Sequence, residues 1–269
     1  MYLKGKTVVI TGASSGIGEA CAYAFAQQGC NVVIAARSED KLLKIAAELT
    51  ELGCSCLTVI CDVQNEQDCQ NLMVQTVQKY KHIDILINNA GISMRALFKD
   101  LNLKVLEQLM QTNFWGAVYC TKYALPELLK SKGSIIAVNS WAGFTGLPAR
   151  TGYNASKFAL LGFMESLRVE NLTSGLHIGT IFPGYTSSNI RNAALNKFGS
   201  KQQDSPLDES KLMKPAQVAK HIVQMVIKRK KYQVLTFKGK LMYWINKVFP
   251  NYIDRQVYKV VSKEKNSSF

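Results

Sequence analysis

The sequence has little of what metal sites and membrane spans require. Among 269 residues it contains three histidines, and no apolar run approaches the roughly 18 residues that cross a bilayer. The three histidines show no ligand spacing, and the seven cysteines form no Cys-x-x-Cys pair. Cys54 and Cys56 are the pair most similar to a metal-binding motif, but no second pair of ligands accompanies them to complete a metal site. The sequence therefore predicts no metal site, no transmembrane helix, and reduced cysteines as in a cytoplasmic protein.

Acidic residues are scarce at the C-terminal end. The segment from Lys211 onward holds 14 Lys+Arg and 2 Asp+Glu, a net charge of +12 out of +14 for the whole chain. The first 210 residues are therefore nearly neutral. The aromatic residues of the basic end match no nucleic-acid-binding module, so nucleic acid is not an expected partner. No signal peptide is expected, because the first six residues lead directly into a β-type run.

Short β-branched runs alternate with helical patterns over most of the chain. Strands are predicted at residues 6–10, 31–36, 56–61, 83–87, 134–138, 177–182 and 232–236. Strands separated by helices indicate parallel pairing in an α/β fold. The length is that of one domain with a full core. We expect a single Rossmann-type domain, with a doubly wound parallel sheet of seven strands.

A glycine-rich turn follows the first strand and opens a helix. Gly12, Gly16 and Gly18 allow a pyrophosphate to approach the free N–H groups of the helix N-terminus. At the end of the second strand, Ala36 stands where an acidic residue would bind the ribose of NAD(H), and Arg37 follows. This pair favours NADP(H), although Arg37 could also be a surface residue at a helix start.

Three chemically active side chains are predicted to converge beyond the fifth strand. Tyr153 and Lys157 lie four residues apart on one helical face, and Ser140 ends the strand before them. A phenol has a pKa near ~10, which a neighbouring ammonium lowers. The three groups suit proton transfer to a carbonyl or from an alcohol, with Ser140 holding the substrate oxygen. Tyr-x-x-x-Lys alone arises by chance, so Ser140 carries much of this argument.

Polar residues in apolar surroundings add candidates. Asn88 and Asn89 end the fourth strand, where part of their role is to pin neighbouring backbone. Asn113 lies in an apolar helical stretch and requires a partner. Two interpretations stay open for Asn113: a satisfied buried amide, or a site residue that kinks the helix and holds a water.

The motifs together resemble the short-chain dehydrogenase/reductase family over about residues 5–235. They are TGASSGIG (11–18), NNAG (88–91), Asn113, Ser140, Tyr-x-x-x-Lys (153–157) and Pro183-Gly184, in the family's order and spacing. The resemblance implies an NADP(H)-dependent oxidoreductase that interconverts a carbonyl and an alcohol in a hydrophobic or lipid-like small molecule. It also implies a homo-oligomer, either a dimer or a tetramer.

The resemblance also implies roles for single residues. Tyr153 would be the acid/base, Lys157 would hold the nicotinamide ribose and lower the Tyr153 pKa, and Ser140 would orient the substrate oxygen. Asn113 would hold a water in a proton relay. The expected cofactor contacts are Gly12, Ser14, Ser15, Gly16, Ile17, Gly18, Arg37, Ser38, Asp62, Val63, Asn89, Ala90, Gly91, Tyr153, Lys157, Pro183, Gly184 and Ser188. Two positions depart from the pattern: Ser15 replaces a basic residue frequent in NADP-preferring members, and Ser188 replaces a threonine.

The chain is expected to divide into a catalytic domain, residues 1–239, and a basic amphipathic extension, residues 240–269. Within the first, residues 189–210 would form a substrate lid, with a weak helix at 190–197. The extension either packs on the body or a partner subunit, or lies on an anionic membrane surface. Together with residues 183–189 it loosely resembles acyl-dihydroxyacetone-phosphate reductase-like enzymes.

The alternative function is a catalytically idle, NADPH-binding interaction protein at membranes. The intact set of Ser140, Tyr153 and Lys157 argues against it.

Overall fold

The computed structural model of the chain describes residues 2–202 and 212–262. The strands are β1 (Thr7–Thr11), β2 (Asn31–Ala36), β3 (Cys56–Ile60), β4 (Ile85–Asn88), β5 (Ser134–Val138), β6 (His177–Phe182) and β7 (Tyr232–Val234). The α-helices are α1 (Gly16–Ala26), α2 (Glu39–Glu51), α3 (Glu66–Tyr80), α4 (Leu103–Met110), α5 (Gly116–Lys130), α6 (Thr151–Glu170), α7 (Pro215–Lys228), α8 (Phe237–Val248) and α9 (Pro250–Val261).

The strands form one parallel sheet in the order β3-β2-β1-β4-β5-β6-β7. Ile10 of β1 lies level with Ile34 of β2 on one side and with Ile87 of β4 on the other. The winding reverses between β1 and β4, so a crevice opens at their carboxyl ends. The predicted seven-stranded, doubly wound Rossmann-type sheet is confirmed.

Helices cover both faces of the sheet, which explains the continuous apolar strands. Val8 and Ile10 belong to the core beneath α1, α2 and α7, whereas Val9 belongs to the core beneath α3, α5 and α6. Successive strand residues point to opposite faces. A sheet buried on both faces therefore needs apolar residues at every position rather than at alternate ones.

A π-helical turn, Gln111–Trp115, separates α4 from α5. It contains Asn113, where the sequence suggested a kink. Turns with i→i+5 bonding insert an extra residue and re-aim the side chains within them. The helical pattern predicted over residues 101–130 is therefore interrupted at Asn113, the one residue in that range with a buried side-chain amide.

The expected weak helix at residues 190–197 is wrong. Residues 189–193 form turns, and Leu195 pairs its backbone with the segment at Met94: the Leu195 N–H donates to the Ser93 carbonyl at 2.9 Å, and Arg95 donates back to Leu195 at 2.9 Å. These long-range hydrogen bonds use the backbone N–H and C=O of Leu195, which a helix would have paired within itself. The last part of the predicted lid, residues 203–210, lies outside the described residues.

The described part of the extension forms α8 and α9, and α8 packs on the loop that follows β5. The Tyr243 ring lies 5.2 Å from that of Phe144, and Asn246 donates to the Phe144 carbonyl at 2.7 Å. One face of α8 therefore packs as the first interpretation predicted. Residues 263–269 lie outside the described part. Within residues 2–202 and 212–262, no helix combines the length and apolarity needed to span a bilayer.

Candidate active site

The glycine-rich turn packs tightly against the end of β4. Gly12 has φ +64°, and a Cβ there would lie 2.8 Å from Ala90 Cα. A Cβ on Gly18 would lie 2.3 Å from the Gly12 carbonyl oxygen. The Asn89 side chain donates to the carbonyls of Thr11 and Gly12, at 2.9 and 3.1 Å. Asn89 therefore pins the turn, as the sequence suggested for this pair of asparagines.

The N-terminus of α1 faces an open cavity. Ser15 precedes the helix, and its side chain makes no capping hydrogen bond. The first N–H groups of α1 can therefore bind an anion. Among the predicted cofactor positions, the cavity is lined by Gly12, Ser14, Ser15, Gly16, Ile17, Arg37, Ser38, Asp62, Val63, Asn89, Ala90, Gly91 and Ser188. These residues fit a dinucleotide whose pyrophosphate lies at the helix N-terminus. Gly18 does not line the cavity. Because it has no side chain, it allows α1 to pack closely against the glycine-rich turn.

The end of this cavity at Arg37 and Asp62 carries both signs of charge. Arg37 Nη1 lies 3.8 Å from an Asp62 carboxylate oxygen, with 62% and 37% of the two side chains exposed. Such an exposed, long ion pair is weak. Arg37 therefore keeps most of its capacity to bind a phosphate, in competition with Asp62.

A second cavity shares the lining residues Ile17, Asn89, Ser188 and Ile190 with the first and holds three of the four predicted catalytic side chains. It is lined by Ser140, Tyr153, Lys157, Pro183 and Gly184 from the predicted set. Tyr153 is 9% exposed and Lys157 is 4% exposed. Ser140 lies near enough to Tyr153 for its hydroxyl to act on the Tyr153 pKa. Lys157 Nζ donates to the Val138 carbonyl at 2.9 Å. The three groups predicted to converge do so.

Burial dominates the electrostatics of these groups. It raises the pKa of Tyr153, against the lowering effects of the Ser140 hydrogen bond and the Arg150 charge. Burial also lowers the pKa of Lys157 to about 8, because the ammonium loses its hydration. The net direction for Tyr153 is opposite to the predicted one. The charge that acts to lower the Tyr153 pKa is that of Arg150. Lys157 Nζ lies 6.0 Å from the Tyr153 ring centre and donates its hydrogen bond to the Val138 carbonyl instead.

Two asparagines that the sequence reading missed hold the loop between β5 and α6. Asn139 Oδ1 accepts from the Ser140 N–H at 2.8 Å. The Asn154 side chain donates to the carbonyls of Ala142 and Thr145, at 3.0 and 2.6 Å. They adjoin Ser140 and Tyr153 in sequence, which is the signal that could have revealed them.

Asn113 lies outside both cavities and is fully bonded. Its Oδ1 accepts from the Ile92 N–H at 2.8 Å, and its Nδ2 donates to the Ile92 carbonyl and to Ser156 Oγ, both at 2.9 Å. These contacts agree with the interpretation of a satisfied buried amide. They tie the π-helical turn to the segment after β4 and to α6.

Besides Val138 and Asn139, the second cavity has lining residues that the sequence reading did not select, namely Ser93, Leu147, Arg150, Tyr185, Thr186, Ile190 and Arg191. Arg150 lies one helical turn before Tyr153, a spacing that could have revealed it. The others come from three segments without a periodic pattern: Ser93 follows β4, Leu147 lies between β5 and α6, and the remaining four follow β6.

Comparison with known proteins agrees with this architecture. The profile of the family described as short chain dehydrogenase matches residues 6–197. The chain is 35% identical over 250 residues to 11-beta-hydroxysteroid dehydrogenase-like 4A of Arabidopsis thaliana, covering 92% of this chain and 82% of that protein.

Two solved structures share the fold. A short chain dehydrogenase/reductase from Burkholderia phymatum in complex with NAD superposes with a TM-score of 0.83 at 21% identity, covering 95% of this chain and 96% of that one. An alcohol dehydrogenase from Thermococcus sibiricus complexed with 5-hydroxy-NADP superposes with a TM-score of 0.74 at 24% identity, covering 86% and 94%.

Proposed function

This chain belongs to the short chain dehydrogenase family, and from that premise we propose that it is an NADP(H)-dependent oxidoreductase with Tyr153 as general acid/base. A carbonyl compound, NADPH and a proton would give an alcohol and NADP⁺, or the reverse. The nicotinamide, when bound, supplies the hydride that reaches the carbonyl carbon. Tyr153 supplies the proton that reaches the carbonyl oxygen, and Ser140 holds that oxygen by a hydrogen bond.

The single observation that carries this proposal is that Ser140, Tyr153 and Lys157 line one cavity, which shares Ile17, Asn89, Ser188 and Ile190 with the dinucleotide cavity. It places a proton donor and an oxygen-binding hydroxyl side by side. Lys157 borders the same cavity, where its ammonium can hold a ribose hydroxyl. The Tyr153 pKa is raised by burial, so the phenol keeps its proton at neutral pH, which suits the reductive direction.

The preference for NADP(H) rests on the end of β2. Ala36 offers no carboxylate to the ribose hydroxyl, and Arg37 and Ser38 line the cavity beside it. An exposed guanidinium there would bind a 2′-phosphate. The named cofactors of the two solved neighbours differ, so this preference is argued from Ala36 and Arg37 alone.

The substrate is proposed to have an apolar body. Leu147, Tyr185 and Ile190 line the cavity around the Ser140–Tyr153 pair. The named hydroxysteroid dehydrogenase relative suggests the same class of apolar compounds. Cytoplasmic location and homo-oligomerisation stay predictions from the sequence.

The test is turnover by Tyr153→Phe. NADPH oxidation would be followed with panels of ketones, aldehydes and keto-lipids, with Tyr123→Phe as the matched control, since its phenol bonds Glu66 on the surface. We expect Tyr153→Phe to bind NADPH normally and to lose ~10²–10⁴-fold in turnover. Near wild-type turnover of Tyr153→Phe would refute the assignment. NADPH binding without turnover of any panel member would favour the alternative, an idle interaction protein.

A second proposal concerns the outer face of α8. Phe237, Leu241, Trp244 and Val248 recur at helical spacing and are each more than half exposed. The exposed Lys240 and Lys247 flank this apolar face. Apolar side chains flanked by lysines suit an anionic membrane surface. We therefore propose peripheral contact with such a surface while the inner face of α8 packs on the body.

A further inference from the structure

The cavity around the Ser140–Tyr153 pair is positively charged. Its lining contains three basic side chains, Arg150, Lys157 and Arg191, and no acidic one among the described residues. Lys157 belongs to the proposed reaction. Arg150 takes no part in the proposed reduction, so its charge is available to another part of the substrate.

Arg150 lies closest to the chemistry. It directly precedes α6, one turn before Tyr153, and its charge opposes the rise in the Tyr153 pKa that burial causes. Its Nη1 donates to the Met94 carbonyl at 3.0 Å, and no carboxylate among the described residues pairs with it. A guanidinium carries five N–H donors in a fork that matches a carboxylate or phosphate.

The backbone holds this guanidinium in place. Ala149 has φ +58°, the left-handed region that residues other than glycine seldom adopt, and its carbonyl accepts from the Ala96 N–H at 2.9 Å. The Arg150–Met94 bond lies beside this one, so two contacts join the corner before α6 to the segment 94–96. Such strain persists only where surrounding contacts maintain it. Arg150 is therefore pre-positioned at the cavity wall.

An apolar surface lies beside the charge. Leu147 and Ile190 line the same cavity as Arg150, Ser140 and Tyr153. A ligand reaching from the Ser140–Tyr153 pair to Arg150 would thus contact apolar side chains along its body and a cation at its end. Burial from water strengthens the attraction between that cation and an anion.

We propose that the substrate carries an anionic group, a carboxylate or a phosphate, which binds Arg150 while its carbonyl or alcohol lies at Ser140 and Tyr153. This inference rests on the proposed function and adds the substrate class, an acidic amphiphile. Arg150 would be the residue that determines specificity for the charge.

The first experiment measures NADPH oxidation with a keto acid of medium chain length, its methyl ester, and a keto-alkyl phosphate. The variants are Arg150→Gln, which removes the charge but keeps an N–H for the Met94 carbonyl, and Arg150→Lys, which keeps the charge. Lys44→Gln on exposed α2 is the control for charge. We expect the acid to exceed the ester in kcat/KM by about ten- to hundred-fold, as charge-assisted bonds give. Arg150→Gln should abolish that difference through the KM of the acid, and Arg150→Lys should restore part of it.

The second experiment does not depend on turnover. Calorimetry would compare octanoate, octyl phosphate and the neutral octanamide binding to the wild type and the Arg150 variants in the presence of NADPH. Octanoate or octyl phosphate binding that is lost in Arg150→Gln supports the inference, and the tighter of the two identifies the anion. Unaltered NADPH affinity and unfolding midpoint would confirm that Arg150→Gln is folded.

Two outcomes would overturn the inference: equal kcat/KM for acid and ester in the wild type, or octanoate and octyl phosphate binding that Arg150→Gln leaves unchanged. Failure of the proposed function looks different. In that case no carbonyl compound is reduced, while anion binding through Arg150 persists in calorimetry.

Discussion

Asn139 Nδ2 donates to the carbonyl of Lys157 at 3.1 Å, and so joins the end of β5 to α6. The same side chain accepts from the Ser140 N–H through its Oδ1. A Cβ on Gly143 would lie 2.2 Å from that oxygen, so the loop after Ser140 closes over the amide. Asn139 thereby fixes the relative position of Ser140 and the helix that carries Tyr153 and Lys157.

Asn139→Ala should impair both stability and turnover. The change removes the acceptor of the part-buried Ser140 N–H and a second donor to the Lys157 carbonyl, and an unmade bond of this kind costs about 1–3 kcal/mol. We expect a free energy of unfolding lower by about that amount in urea titrations, and a lower kcat with NADPH affinity retained. Asn31→Ala is the control, because that amide makes only long, more exposed contacts. Unchanged kcat in Asn139→Ala would show that Ser140 needs no such support.

Glycine to alanine should have opposite effects at two helical positions. At Gly18 a Cβ would clash with the Gly12 carbonyl at 2.3 Å, so Gly18→Ala should destabilise the protein by about 1–3 kcal/mol and weaken dinucleotide binding. At Gly162, inside α6, a Cβ meets open space, so Gly162→Ala should stabilise by about 0.5–1 kcal/mol. Thermal unfolding of both variants checks this. Equal changes in the unfolding temperature of the two variants would contradict the close packing of Gly18 against the Gly12 carbonyl.

Arg37→Ala should reduce the preference for NADPH over NADH. The loss of one charge-assisted contact to a phosphate corresponds to roughly 1.5–3 kcal/mol, or about ten- to hundred-fold in affinity. Lys41→Ala, four residues further on and exposed, should leave both affinities unchanged. Nicotinamide fluorescence titrations measure the affinities of the wild type and both variants for the two cofactors. Equal affinity of the wild type for the two cofactors would count against the argument from Ala36 and Arg37.

Lys157 should make stability depend on pH. Its folded pKa of about 8 lies below the ordinary value of 10.5, so the unfolded chain holds this proton more tightly between those two values. The unfavourable contribution of the buried ammonium is fully present below pH 8 and is relieved as the pH rises towards 10.5. Between pH 7 and 9 the wild type should therefore gain about 1 kcal/mol relative to Lys157→Met. Urea unfolding of both proteins at the two pH values measures this difference, and a constant difference would contradict the lowered pKa.

The outer face of α8 should bind anionic vesicles. Leu241→Ser with Trp244→Ser should reduce co-sedimentation, because each removes exposed apolar surface beside the lysines. Leu172→Ser is the control, since Leu172 is 67% exposed but lies in the turn that follows α6. Each basic residue near such a surface contributes about 1 kcal/mol, so salt should weaken the binding. Equal sedimentation with neutral and anionic vesicles, or none with either, would refute the proposal.

The fold and the main site could be predicted because their determinants are local. A β-branched run such as Ser134–Val138 has few alternatives to a buried strand, and its alternation with helices implies parallel order. Gly12 adopts φ +64° in a turn that the glycine spacing already required. Tyr153 and Lys157 share a face because any α-helix places residues four apart together.

Only the tertiary structure decided which distant groups meet. Asn113 finds its partners 21 and 43 residues away, at Ile92 and Ser156, and Leu195 forms a bridge to Met94 instead of continuing a helix. The direction of the Tyr153 pKa followed from burial, which no spacing reveals. Arg150 joined the cavity because the loop before α6 folds back onto residues 94–96. Periodicity specifies what one element buries, whereas contacts across the chain depend on how all the elements pack together.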